Sequence, residues 1–109
     1  DEVYGDSYEK KADRIEGIGN NVTVEFKDMD FCKEAVTKLE ITGVSHIPVN
    51  TIHVIFDNGT EEIRDILEFA RDGGETQSFN VSSYSGNGTI RLVFLPGSSF
   101  DLIALQFQE

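Results

Sequence analysis

Four short segments of the chain concentrate side chains that can hydrogen-bond neutral hydroxyls. They are Asn20-Asn21, His46 to Asn50, Arg71 to Glu75 with Asp72 between, and Phe100-Asp101. Amides, imidazole, guanidinium and carboxylates are planar donors and acceptors, and an aromatic ring beside them can lie on the C–H face of a sugar. Such a set suits recognition of carbohydrate. Other chemistries lack their parts. His46 and His53 have no third ligand at a spacing that suits zinc. No Gly-x-Ser-x-Gly elbow and no Cys/His/Asn set is present, so a nucleophilic triad has no carrier. Glu61-Glu62 and Glu34 with Glu40 read as solvated charges rather than an acid/base pair.

Charge narrows the partners. Twenty acidic against nine basic residues give a formal net charge of −11. Contact with phosphate backbones or anionic lipid needs clustered Lys and Arg, so neither nucleic acid nor a membrane surface is an expected partner. No run approaches the roughly eighteen apolar residues of a membrane span, and no charged-then-apolar leader is present. Acidity of this kind is compatible with a neutral ligand such as a sugar. Cys32 is the only cysteine, so no internal disulfide is possible and the fold must rest on its apolar core. At 109 residues the chain is expected to be one domain. Its start at Asp1-Glu2-Val3-Tyr4 reads as the cut edge of a module from a longer protein.

The elements that would position those side chains are strands. Alternation marks Val22 to Phe26, Thr37 to Thr42, Thr51 to Phe56 and Thr76 to Ser82. Asp57-Asn58-Gly59 and Ser85 to Gly88 carry turn chemistry. Thr89 to Phe107 contains two branched and aromatic runs around Pro96-Gly97-Ser98-Ser99, predicting an antiparallel pair that closes a β-sandwich. Within Glu61 to Arg71, Ile63, Ile66, Leu67 and Ala70 recur at helical spacing, yet a strand with a bulge near Asp65 would serve equally. Asp30 to Leu39 could likewise be helical; the preferred reading is a loop through Glu34 and a strand from Thr37.

If successive strands run antiparallel, one rim of the sandwich collects residues 18–21, 44–50, 71–75 and 97–101, which are the four polar segments. The opposite rim collects residues 28–34, 57–61 and 83–88. Tyr84 is expected on that second rim, either exposed enough to stack on a ligand or capping a core edge, while Tyr4 and Tyr8 pack under the N-terminal segment. Phe31, Phe56, Phe69, Phe79, Phe94 and Phe107 fall on core parity. Asn-x-Ser/Thr triplets begin at Asn21, Asn58, Asn80 and Asn87, as turns and strands rich in Asn and Thr produce.

Several of these stretches carry a resemblance. Gly17 to Phe26, Met29-Asp30-Phe31, Thr37 to Gly43, Asn50 to Phe56 and Phe94 to Asp101 look like the modules appended to bacterial family 2 β-galactosidases. Those are similar to family 6 carbohydrate-binding modules, and the galactoside-binding modules of streptococcal surface β-galactosidases are comparable. The resemblance implies an all-β, antiparallel jelly-roll sandwich of galactose-binding-like type spanning residues 1–109, without catalysis of its own. It implies terminal galactosides, lactose or N-acetyllactosamine, as ligand, the catalytic domain of a parent β-galactosidase as neighbour, and a secreted or wall-attached bacterial location. The site residues expected on that basis are Asn20, Asn21, His46, Asn50, Arg71, Glu75, Phe100 and Asp101. Asp101 falls where such modules carry Asn, and Ile18 and Glu75 fall near their two stacking aromatics. No cofactor is expected, apart from a structural calcium that such modules often hold through N-terminal Glu residues and a last-strand Asp. The matching last-strand position here is Ile103, and the acidic candidates at the start are Asp1, Glu2 and Asp6.

Overall fold

A computed structural model describes residues 2–5, 8–19, 21–31 and 35–108. Among these residues ten strands form: β1 (Glu2–Gly5), β2 (Glu9–Lys10), β3 (Ile15–Ile18), β4 (Val22–Asp30), β5 (Val36–Ser45), β6 (Val49–Asp57), β7 (Glu62–Ala70), β8 (Thr76–Tyr84), β9 (Asn87–Phe94) and β10 (Phe100–Gln108). They build two five-stranded antiparallel sheets, in the orders β1-β4-β9-β6-β7 and β2-β3-β10-β5-β8. The chain is the all-β sandwich that its alternation predicts.

The core follows from strand parity. Val22 and Val24, Ile52, Val54 and Phe56, and Ile90, Leu92 and Phe94 point inward from the first sheet. Leu39 and Ile41, with Phe100 and Leu102, meet them from the second. Between the sheet edges a polar clasp joins β7 to β8. Asp65 takes an inward position and accepts from the Tyr84 hydroxyl at 2.6 Å, the Ser82 hydroxyl at 2.7 Å and the Ser82 amide at 3.0 Å. Tyr84 is fully buried against Phe31 and Phe56, so it is a core residue with a satisfied hydroxyl and not an exposed stacking surface.

Two expectations change. Residues 62–70 are a strand paired without interruption from Val49↔Ala70 to Asp57↔Glu62, so neither a helix nor a bulge at Asp65 forms. Irregularities lie elsewhere, in β5, in β10 and in β4, where the register shifts between Phe26 and Met29 and Asp28 adopts φ 56°. The closing runs do not pair with each other: β9 belongs to the first sheet and β10 to the second, and the loop at residues 95–99 crosses between them. Strand β5 starts at Val36, while Cys32 and Glu34 lie outside the described residues.

Candidate functional site

One rim gathers four crossing loops. The β3–β4, β5–β6, β7–β8 and β9–β10 connections each carry the chain from one sheet to the other at the same end of the sandwich. Crossing loops cannot satisfy their backbone groups within a ladder, so they satisfy them on one another. Arg71 N donates to Pro48 O at 2.9 Å, His46 N to Ser99 O at 3.0 Å, and Gly43 N to Glu75 O at 2.8 Å. Asn50, buried at 1 % exposure, bridges two loops: its Nδ2 donates to Ser45 Oγ at 2.6 Å and its Oδ1 accepts from Ser99 N at 2.8 Å. Gln77 Nε2 ties the β7–β8 loop by donating to Ala70 O at 2.6 Å and to Gly74 O at 2.9 Å.

At the centre of this rim His46 meets Asp101. The two side chains are 2.9 Å apart from Nε2 to Oδ2, with His46 about half exposed and Asp101 mostly covered. Asp101 Oδ1 accepts from Gly17 N at 2.9 Å. Burial acts to raise the Asp101 carboxyl, but the Gly17 amide, His46 and, at longer range, Arg14 outweigh it and hold it below the ordinary aspartate value. An ionised carboxylate only accepts, so the proton of this contact sits on His46 Nε2.

The sequence-predicted residues therefore divide. His46, Arg71 and Glu75 are exposed on the rim, as is Asn21, the turn residue before β4, with φ 50°. Asn50 is a buried brace. Phe100 is fully buried, its ring 4.8 Å from Phe69 edge-on and 5.6 Å from Phe94 in a stack, so its faces are taken by the core rather than offered to a sugar. Strand parity gives the reason: Phe100 and Leu102 turn inward, which turns Asp101 outward. Asn20 lies outside the described residues. Gly17, Ser45 and Ser99, whose contacts hold the rim, lie in segments that the sequence marked but were not singled out as site residues. Gly43 is also constrained, because a methyl there would overlap the Phe100 ring and the Asp101 carbonyl.

Apolar surface at this rim comes from aliphatic groups. A shallow cavity of about 140 Å³ is lined by Ile47, Val49, Thr51, Leu95, Pro96 and Ser98, among others, with Val49 exposed. The surroundings of Ile103 do not fit calcium. Ile103 lies at a register shift of β10 in a groove with Lys10, Lys11 and Arg14, and ammonium and guanidinium groups do not ligate a hard cation. Among the described residues no group of three or more His, Cys, Asp or Glu could hold a metal ion. Asp1 and Asp6 lie outside them.

No family model matches the sequence, and no curated protein sequence does either. Solved structures share its architecture. A family 6 carbohydrate-binding module of Clostridium stercorarium in complex with cellobiose is 18% identical, covers 100% of this chain and 87% of its own, and superposes with a TM-score of 0.79. A second family 6 module, studied for its binding sub-sites, is 21% identical, with the same coverage and a TM-score of 0.80. A family 6 module of Clostridium cellulolyticum in complex with xylose is 20% identical over 94% of this chain and 85% of its own, with a TM-score of 0.68. The chain thus has the β-sandwich fold of the family 6 carbohydrate-binding modules.

Proposed function

We propose that the chain is a non-catalytic carbohydrate-binding module that holds the end of a neutral glycan at the rim centred on His46 and Asp101. The observation that carries this reading is the locking of the β5–β6, β7–β8 and β9–β10 loops, with Gly17 of β3, around that pair, with Asn21, Arg71 and Glu75 exposed on the same rim. Loops braced by mutual hydrogen bonds present polar groups without an ordering cost on binding. Exposed Val49 and Pro96, at the mouth of a small and mainly polar cavity, offer a limited apolar contact in place of Phe100. A net charge of −11 favours an uncharged sugar over an anionic one. Terminal galactosides, lactose and N-acetyllactosamine, are the ligands that the sequence resemblance puts first. In this reading the module tethers an extracellular bacterial β-galactosidase to its glycans, and weak binding suffices because tethering raises the local substrate concentration.

A glycan array with the isolated chain, followed by calorimetry on each hit, tests the proposal. Galactosides should bind, and His46→Ala should weaken binding by about tenfold, the equivalent of one hydrogen bond. Silence across neutral glycans would overturn it. The burial of Phe100 and the engagement of both Asp101 oxygens favour a second reading, a structural module that spaces or packs against the parent enzyme without a sugar ligand. Silence on the array is what that reading expects.

A further inference from the structure

The opposite rim carries an Asn-Gly loop that the glycan-binding reading does not use. There the loop between β6 and β7 borders a polar cavity of about 370 Å³ together with Asp28, Asn87, Gly88 and Thr89. Within the loop one side-chain amide is surrounded by the groups that its cyclisation requires. Asn58 Oδ1 accepts from two backbone amides, Thr60 N and Glu61 N, each at 2.9 Å. The next backbone nitrogen along the chain, Gly59 N, donates to Asp57 Oδ1 at 2.9 Å. Asn58 N closes the loop by donating to Glu61 O at 3.2 Å, and Arg91 Nη2 lies 3.6 Å from the other Asp57 oxygen.

We propose that Asn58 is a self-modification site, at which the folded loop converts the asparagine to aspartate and isoaspartate through a succinimide. Gly59 N attacks Asn58 Cγ, forming the new C–N bond of the ring, and its proton passes to Asp57 Oδ1, which already receives that N–H. Negative charge develops on Asn58 Oδ1, where the Thr60 and Glu61 amides already point. Collapse of this adduct breaks the Cγ–Nδ2 bond. Asp57 returns the proton to the departing nitrogen, which leaves as ammonia. Water then opens the ring at either carbonyl, giving the aspartyl or isoaspartyl product, so water is the sole co-reactant. Glycine at 59 has φ 90° and open space where a side chain would stand, so nothing crowds the ring as it forms.

An internal control borders the same cavity. Asn87-Gly88 is the same dipeptide, but Gly86 precedes it where Asp57 precedes Asn58, and its two residues pair with Asp30 and Met29 in the β4–β9 ladder. Two effects compete at Asn58. A positioned base and preset donors accelerate the attack, whereas a folded loop restrains the backbone rotation that ring closure needs.

The test is peptide mapping, with resolution of aspartyl and isoaspartyl forms, of the full chain aged at neutral pH. A free peptide covering residues 55–63 is aged in parallel. Asn58 is expected to convert about tenfold faster in the folded chain than in the peptide, and faster than Asn87 in the same molecules. Asp57→Asn keeps an acceptor for Gly59 N but cannot take the proton, and it should bring Asn58 down to the peptide rate. Conversion of folded Asn58 at or below the peptide rate would overturn the proposal without use of any variant. An unchanged rate in a folded Asp57→Asn chain would overturn the role of the base.

Discussion

Truncating Phe100 to alanine is expected to lower stability by about 3–5 kcal/mol, the cost of emptying a fully packed aromatic site. In a domain of this size each kcal/mol is worth roughly 4–8 °C in Tm, so thermal or urea unfolding followed by circular dichroism measures it directly. The ring is wholly buried between Phe69 and Phe94, and its backbone pairs with Ser45 on one side and Ile18 on the other. A ring that stacked on a sugar would behave in the opposite way, losing affinity when truncated while stability stayed. Phe100→Leu separates the two: it should cost only about 1–1.5 kcal/mol and leave glycan binding in place.

The second large effect belongs to Asp65. Its carboxylate accepts three hydrogen bonds across the gap between the two sheets, and its removal strands the Tyr84 hydroxyl in the core. Asp65→Ala is expected to cost about 3 kcal/mol, because the loss of a charged partner adds to a buried donor left unpaired. Tyr84→Phe should cost less, about 1–2 kcal/mol, since Ser82 still serves the carboxylate. The double variant should fall short of the sum, as groups in one network do. Burial pushes the Asp65 carboxyl up, but the Tyr84 hydroxyl and both Ser82 donors outweigh it and hold it below 3.8, the ordinary value. Burial first, and then the Asp65 charge, raise the Tyr84 hydroxyl above its usual range. With the Asp65 value depressed in the fold, its contribution is intact above pH 3.8 and is lost as the pH falls through the lower folded value. Acid unfolding of Asp65→Asn should therefore be shallower than that of the wild type in that window, and identical slopes would show that the carboxylate does not matter there.

Asp65 also explains where sequence patterning reached its limit. On β7 the inward positions are Ile63, Asp65, Leu67 and Phe69, and the outward Ile66 is 62% exposed. A polar residue on the core face and an apolar one on the solvent face erase the two-residue alternation and mimic helical spacing. Its partners Ser82 and Tyr84 are 17 and 19 residues away, so no local signal announces the clasp. Elsewhere the strands were legible because their parity was clean, as in Val22, Val24 and Ile52, Val54, Phe56. The grouping of four loops on one rim was legible too, because it needs only the direction of each strand. What parity offered and the motif obscured was the split between Phe100 and Asp101: neighbours in a strand face opposite ways, so both could not serve one surface. The sheet switch between β9 and β10 was not legible, because two hydrophobic runs around a turn predict a hairpin just as well. The contact between His46 and Asp101 spans 55 residues and depends on that switch.

The most direct test of the central claim is an NMR titration of the labelled chain with lactose at millimolar concentration, with cellobiose and xylose in parallel. Glycan binding at the crossing-loop rim predicts saturable shifts of the Gly17, His46, Arg71, Glu75 and Asp101 amides, with those of Asn58 to Glu61 on the far rim unmoved. Amides of the crossing-loop rim that stay still with every sugar, or shifts confined to another surface, would contradict it.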